Sequence, residues 1–132
     1  APEGWHVPTD AEWTTLEEHL IANGYNYDQT TTGNKIAKAM ASITGWNTST
    51  VIGAVGNNQS QNNSSGFNAY PEGLRWIDGF NAFGVLCAFW SSSSNAADND
   101  EKYWSLLELS TSYSYILTID PLTGLSVRFV RD

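Results

Sequence analysis

A single cysteine, Cys87, occurs in the 132 residues, which excludes an intrachain disulfide and any zinc site built on several thiolates. Stability therefore has to come from packing, and a chain of this length can bury enough surface for that. Basic residues are scarce too. Six Lys and Arg stand against 14 Asp and Glu, for a formal charge of −8. Phosphate backbones and anionic membrane surfaces are held by clustered cations, so nucleic acid is not an expected partner. A long hydrophobic run is missing as well. The longest apolar stretch, around Phe83 to Trp90, falls far short of the roughly 20 residues needed to span a bilayer, so no direct membrane insertion is expected of this domain. No segment reads as a signal peptide, and the opening Ala1-Pro2-Glu3-Gly4 reads as the start of a mature domain or of one cut from a longer precursor.

Aromatic residues, by contrast, are plentiful: six Trp, six Tyr and five Phe, more than a core of this size needs. Without a repeat or a dividing linker, residues 1–132 read as one domain. Thr9-Asp10-Ala11-Glu12 forms a capping box, in which Thr9 takes the third amide and Glu12 reaches back to the amide of Thr9. A helix starts there, carries Trp13, Leu16 and Leu20 as an apolar stripe and stops at Asn23-Gly24. A second, shorter helix is predicted with Ile36, Met40 and Ile43 on one face, ended by Gly45.

From Trp46 to Gly66 the composition turns to Asn, Ser, Thr, Gln and Gly, with Val51, Ile52 and Val55 as the apolar anchors. A connection of this length in a compact domain is a candidate binding loop, and its composition equally describes a disordered or ornamental insertion. Sequons at Asn47, Asn58, Asn62 and Asn63 matter only in a eukaryotic secretory pathway. Beyond the loop the period changes to two: Phe83, Val85, Cys87 and Phe89 alternate with Leu86, Ala88 and Trp90, which predicts a central strand apolar on both faces. Further strands are predicted at 103–109 and 113–119. The latter leads through Asp120-Pro121-Leu122-Thr123-Gly124 into 125–130 as a hairpin. Helices followed by antiparallel strands make the class α+β.

No residue set carries obvious catalysis. Cys87 stands alone in a buried-looking strand, where a thiol is inert. His6 and His19 belong to no metal-ligand spacing; His19 is expected on the solvated face of the first helix, and His6 to bond near the termini. Arg75, Arg128 and Arg131 are expected to hold strand ends through carboxylates. Trp5, Trp13 and Trp90 are expected in the core. Asn95, Asp98, Asp100 and Glu101 place hard oxygen ligands of the kind calcium selects in one short run, although they lack EF-hand spacing and equally describe a solvated acidic turn. Trp46, Tyr70, Trp76, Tyr103 and Trp104 lie at or beside loops, where an aromatic face can stack on a sugar or anchor a protein partner.

Three segments in order span nearly the whole chain: Gly4-Trp5-His6-Val7-Pro8-Thr9-Asp10-Ala11-Glu12-Trp13, Gly66-Phe67-Asn68-Ala69-Tyr70-Pro71-Glu72-Gly73-Leu74-Arg75, and Gly124-Leu125-Ser126-Val127-Arg128-Phe129-Val130-Arg131-Asp132. Together with Gly33-Asn34-Lys35-Ile36 and Phe89-Trp90-Ser91-Ser92-Ser93, they resemble the Fibrobacter succinogenes major paralogous domain, a family of bacterial surface and secreted domains. Many members end in Ser-Val-Arg-Cys-Val-Arg-Asp, whereas Phe129 stands here in the Cys place. The opening is also similar to the Trp-x-x-Pro-Thr-x-x-Glu-Trp stretch of the formylglycine-generating enzymes, a resemblance that implies a C-type-lectin-like scaffold. That enzyme family works with a redox-active cysteine arrangement, which the lone Cys87 does not match.

The resemblance implies an extracellular or cell-surface location, in a secreted or lipid-anchored bacterial protein. Two functions stay open beside each other: a non-catalytic recognition domain binding a glycan or a surface protein through its polar loops, and a structural or spacer module of a surface lipoprotein or adhesive assembly. An oxidase related to the formylglycine-generating enzymes stands behind both.

Overall fold

The structure is a computed structural model that describes residues 1–95 and 100–132, with backbone alone for residues 95, 100–102 and 114–118. The expected helix forms first. Its range is α1, Asp10–Ala22, and both halves of the capping box are made: the Thr9 hydroxyl accepts from the Glu12 amide, and the Glu12 carboxylate accepts from the Thr9 amide at 2.8 Å. The Asn23 amide closes the other end on the His19 carbonyl.

The second helix is much shorter than predicted. α2 is a single turn, Ala37–Met40, and Ile43 lies exposed outside it. The cause is competition for the backbone. The carbonyls of Lys38, Ala39 and Met40 accept from the amides of Asn63, Ser65 and Ala69, and the Ser42 amide donates to Ala69. With those carbonyls taken from outside, no further helical turn can close on them.

β1 (Trp5–His6) pairs antiparallel with β7 (Val130–Arg131), joining the two ends of the domain. β2 (Leu74–Trp76) and β3 (Gly79–Asn81) form a short hairpin. β4 (Leu86–Asn95), β5 (Asp100–Leu107) and β6 (Ser114–Ile119) form an antiparallel sheet in that order. The class is therefore α+β.

The alternation read in the sequence holds from Leu86 onward. Cys87 and Phe89 join Trp104, Leu106 and Trp13 in the larger core, while Leu86, Ala88 and Tyr103 belong to a second core that Trp90 partly covers. Trp13 of α1 stacks on Phe89 and Trp104, and Phe67 closes edge-on against it.

The predicted hairpin of 113–119 with 125–130 does not form. After the turn at Asp120–Thr123 the chain crosses to the free edge of β4. Gly124 exchanges both backbone hydrogen bonds with Arg75, at 2.7 and 2.8 Å, and Ser126 bonds the backbone of Ala88 and Trp90. The Ser126 contacts pair the edge of β4 that β5 leaves open, where unpaired amides would otherwise be lost to burial, while Gly124 pairs with β2. Phe83, read as part of the strand, lies before it and is exposed, and Trp5, read as core, is exposed on the terminal strand.

Candidate functional site

Three of the five aromatic contact candidates lie inside the protein. Trp104 retains 1 % of its accessible surface and Tyr103 6 %, because β5 is the middle strand of its sheet and both of its faces are covered. Trp46 is also buried, clamped by Gln59, whose amide accepts from the Trp46 N–H and donates to its carbonyl. Their expected role as solvent-facing contacts is thereby corrected. Tyr70 and Trp76 do face solvent.

The long loop is folded back on the protein. Asn62 is buried and its side-chain amide donates to the carbonyls of Ser42 and Val55, at 2.9 and 3.0 Å. The amides of Val55 and Gly56 donate to Ser110 and Glu108. Buried Lys38 donates from Nζ to the carbonyls of Ala54, Asn57 and Asn58, so its ammonium organises the loop from inside. Burial holds its pKa below the ordinary lysine value.

In the acidic run, Asn95 and Asp100 are register partners of β4 and β5, with Glu101 opposite Ser94. Asp98 lies outside the described residues, as do the side chains of Asn95, Asp100 and Glu101. Among the described residues, no three His, Cys, Asp or Glu side chains come together as a metal-binding group.

Among the described residues the three most exposed aromatics, Phe80, Phe83 and Trp76, lie on or just after the β2–β3 hairpin, which sequence reading missed. Its signal was the Asp78-Gly79 pair, a turn former set between Leu74-Arg75-Trp76 and Phe80. Leu74 anchors the hairpin in the second core. Gly73 is required beneath it: its φ is +72°, and a Cβ there would sit 2.0 Å from the Asn81 carbonyl oxygen. Above these anchors Ile77 is 98 % exposed, Phe80 68 %, Phe83 63 % and Trp76 50 %. Arg75 and Phe80 are direct cross-strand partners, with the guanidinium 5.8 Å from the ring centroid, and Phe83 lies 6.2 Å beyond Phe80.

Grooves of about 430 Å³ and about 610 Å³ open beside the hairpin and share Arg75 as their one common residue. The first runs past Glu72, Phe80 and Phe83; the second past Trp76, Asp120 and Leu122. Both carboxylates already have a protein donor, Glu72 from the Ser126 hydroxyl and Asp120 from the Leu122 amide. No described carboxylate pairs with Arg75 within 4.0 Å, nor with Arg128 or Arg131. The expected arginine–carboxylate clamps are therefore absent among the described residues. Arg128 instead donates to the Phe67 carbonyl at 3.0 Å and lies over the Phe67 and Phe89 rings.

The comparison with known families decides the broader assignment, since the model of the Fibrobacter succinogenes major domain matches residues 1–131. The chain belongs to that family. No curated protein and no solved structure matches it. In this chain His6 holds the opening segment to the closing one. His6 Nε2 lies 2.7 Å from Glu12 Oε1, and His6 Nδ1 lies 2.7 Å from Asp132 Oδ1. The imidazole thus joins the first strand, the first helix and the last residue. His19 is exposed at the far end of α1, as expected. No helix among the described residues is long and apolar enough to cross a membrane.

Proposed function

We propose that this domain is a non-catalytic recognition module of the cell surface or the extracellular space, built on a C-type-lectin-like scaffold, that binds a glycan or a surface protein through the β2–β3 hairpin. The single observation that carries the reading is the exposure of Trp76, Ile77 and Phe80 on a hairpin whose base is locked by Leu74 and Gly73, with exposed Phe83 set against Phe80 just beyond it. Exposed apolar groups gathered in one place mark interaction sites, whereas singly scattered ones need no explanation. In the long loop from Trp46 to Gly66, Asn62, Val55 and Gly56 turn their donors inward to the protein.

The oxidase alternative gains no support from Cys87. Burial pushes its thiol up to about 12, so the thiolate that redox chemistry needs is scarce at neutral pH.

The test is retention of the purified domain on intact bacterial cells and on immobilised glycans, with Trp76→Ala and Phe80→Ser compared to the parent. Recognition through the hairpin predicts retention that both substitutions abolish while the fold survives. A module with only a spacing role predicts no retention for any of the three. Running the assay in calcium and again in chelator determines whether Asn95, Asp98, Asp100 and Glu101 contribute an ion.

A further inference from the structure

We propose that the two grooves flanking Arg75 are adjoining subsites for one uncharged oligosaccharide chain. The inference rests on the recognition reading above and narrows it to a ligand class.

Size is the first argument. Grooves of about 430 Å³ and about 610 Å³ fall in the range of small-ligand sites, whereas a protein partner needs roughly 800 Å² of complementary surface on each side. Their arrangement is the second. One residue, Arg75, lines both, and its backbone is fixed on either side by the pairing with Gly124 and with Phe80. A ligand passing from one groove to the other would pass the same residue, and a linear chain of sugar rings fits that path.

Chemistry supplies the third argument. Arg75 lines each groove, with its guanidinium 5.8 Å from the Phe80 centroid, and each groove adds one carboxylate acceptor and apolar rings or side chains: Glu72 with Phe80 and Phe83 in the first, Asp120 with Trp76 and Leu122 in the second. A sugar hydroxyl both donates and accepts, so it needs both kinds of partner. The C–H face of a pyranose covers an aromatic ring. The guanidinium has no carboxylate of its own among the described residues, so its fork is open to vicinal hydroxyls. An acidic polymer would meet a carboxylate in both grooves and a chain of charge −8, which disfavours it.

The experiment is titration of the 15N-labelled domain with cello-, xylo-, manno- and chitotetraose, with the matching monosaccharides, and with tetragalacturonate as the acidic counterpart. The Arg75 Nε and Trp76 indole signals are followed. One neutral tetrasaccharide is expected to move both signals and to bind about tenfold or more tighter than its monosaccharide, because the second subsite is filled at high effective concentration. Its affinity should be insensitive to salt. Arg75→Gln should weaken it about tenfold with the spectrum's dispersion intact, and Arg75→Lys, which keeps the charge but loses the fork, should weaken it also.

Preference for tetragalacturonate, equal affinity for monosaccharide and tetrasaccharide, shifts confined to another surface, or no response to any of the four neutral chains would each overturn the proposal. Cell retention separates the two levels. If Trp76→Ala still abolishes retention on cells, the hairpin recognises a different class of partner and the recognition reading stands. If the parent is not retained either, both fall together.

Discussion

The Trp13 and Trp104 rings stack with centroids 5.1 Å apart and planes 9° from parallel, joining the first helix to the middle strand of the sheet. Both are almost fully buried, so truncating either opens a large cavity. Trp13→Ala should lower stability by about 3 to 5 kcal/mol, and Trp104→Ala by about as much. Urea denaturation checks both. A loss under about 1 kcal/mol for either would contradict the packing described. By the same argument, Trp104→Ala is unsuitable as a probe of binding, whereas Trp76→Ala leaves the core untouched.

The hairpin can be removed without touching its aromatics. Gly73→Ala puts a methyl group against the Asn81 carbonyl and forces an alanine to a φ of +72°. Strain of this kind costs about 1 to 3 kcal/mol, and relief requires β2 and β3 to part. The expected outcome is a modestly destabilised domain that loses binding although Trp76, Phe80 and Phe83 are all present. Denaturation together with cell retention measures it, and full retention at parental stability would refute the role given to Gly73.

The clasp of His6 with Glu12 and Asp132 makes stability depend on pH. Hydrogen bonds donated by the imidazole to Asp132 and Glu12 raise the His6 pKa above its ordinary 6.5. Its contribution is therefore complete below about 6.5 and is lost as pH rises through the higher folded value. Hydrogen bonds from the Thr9 amide and then His6 lower the Glu12 pKa below 4.5. That contribution is present above 4.5 and lost as pH falls through the lower folded value. Between those limits both act. The melting-temperature difference between the parent and His6→Gln should be largest near pH 5 to 6 and shrink towards pH 9. A difference that does not change over that range would count against the clasp.

Lys38→Met retains the buried stem but removes the three donors facing the carbonyls of Ala54, Asn57 and Asn58. Unpaired buried acceptors cost about 1 to 3 kcal/mol each, so the variant should lose stability. Faster amide exchange should be localised at Val55 and Gly56, whose amides tie this loop to Ser110 and Glu108. Uniform acceleration across the whole domain would assign Lys38 to the general core instead.

Local chemistry was the legible part of the sequence. The capping box from Thr9 to Glu12 and the stop at Asn23-Gly24 depend on neighbours within a turn, and both formed. So did the alternation from Leu86 to Trp90, because a strand's two faces are set by its own period. Depth was not legible. Trp46 and Tyr103 sit beside loop-like sequence, yet Gln59 closes over one and the flanking strands of the sheet over the other. Conversely, Phe83 belongs to an apolar run but precedes the strand and points outward. The destination of residues 124–126 was hidden for the same reason, since only the folded sheet shows that one edge of β4 needs a partner.

The pairing of Trp5 with Arg131, extended by the bond from the Asp132 amide to the Gly4 carbonyl at 3.0 Å, brings the two ends of the domain side by side. Antiparallel partners lie about 5 Å apart. Residues 1–132 can therefore be spliced into a surface turn of a host protein almost without stretching that turn. They can equally be permuted by joining residue 132 to residue 1 through a short linker and reopening the chain at an exposed position.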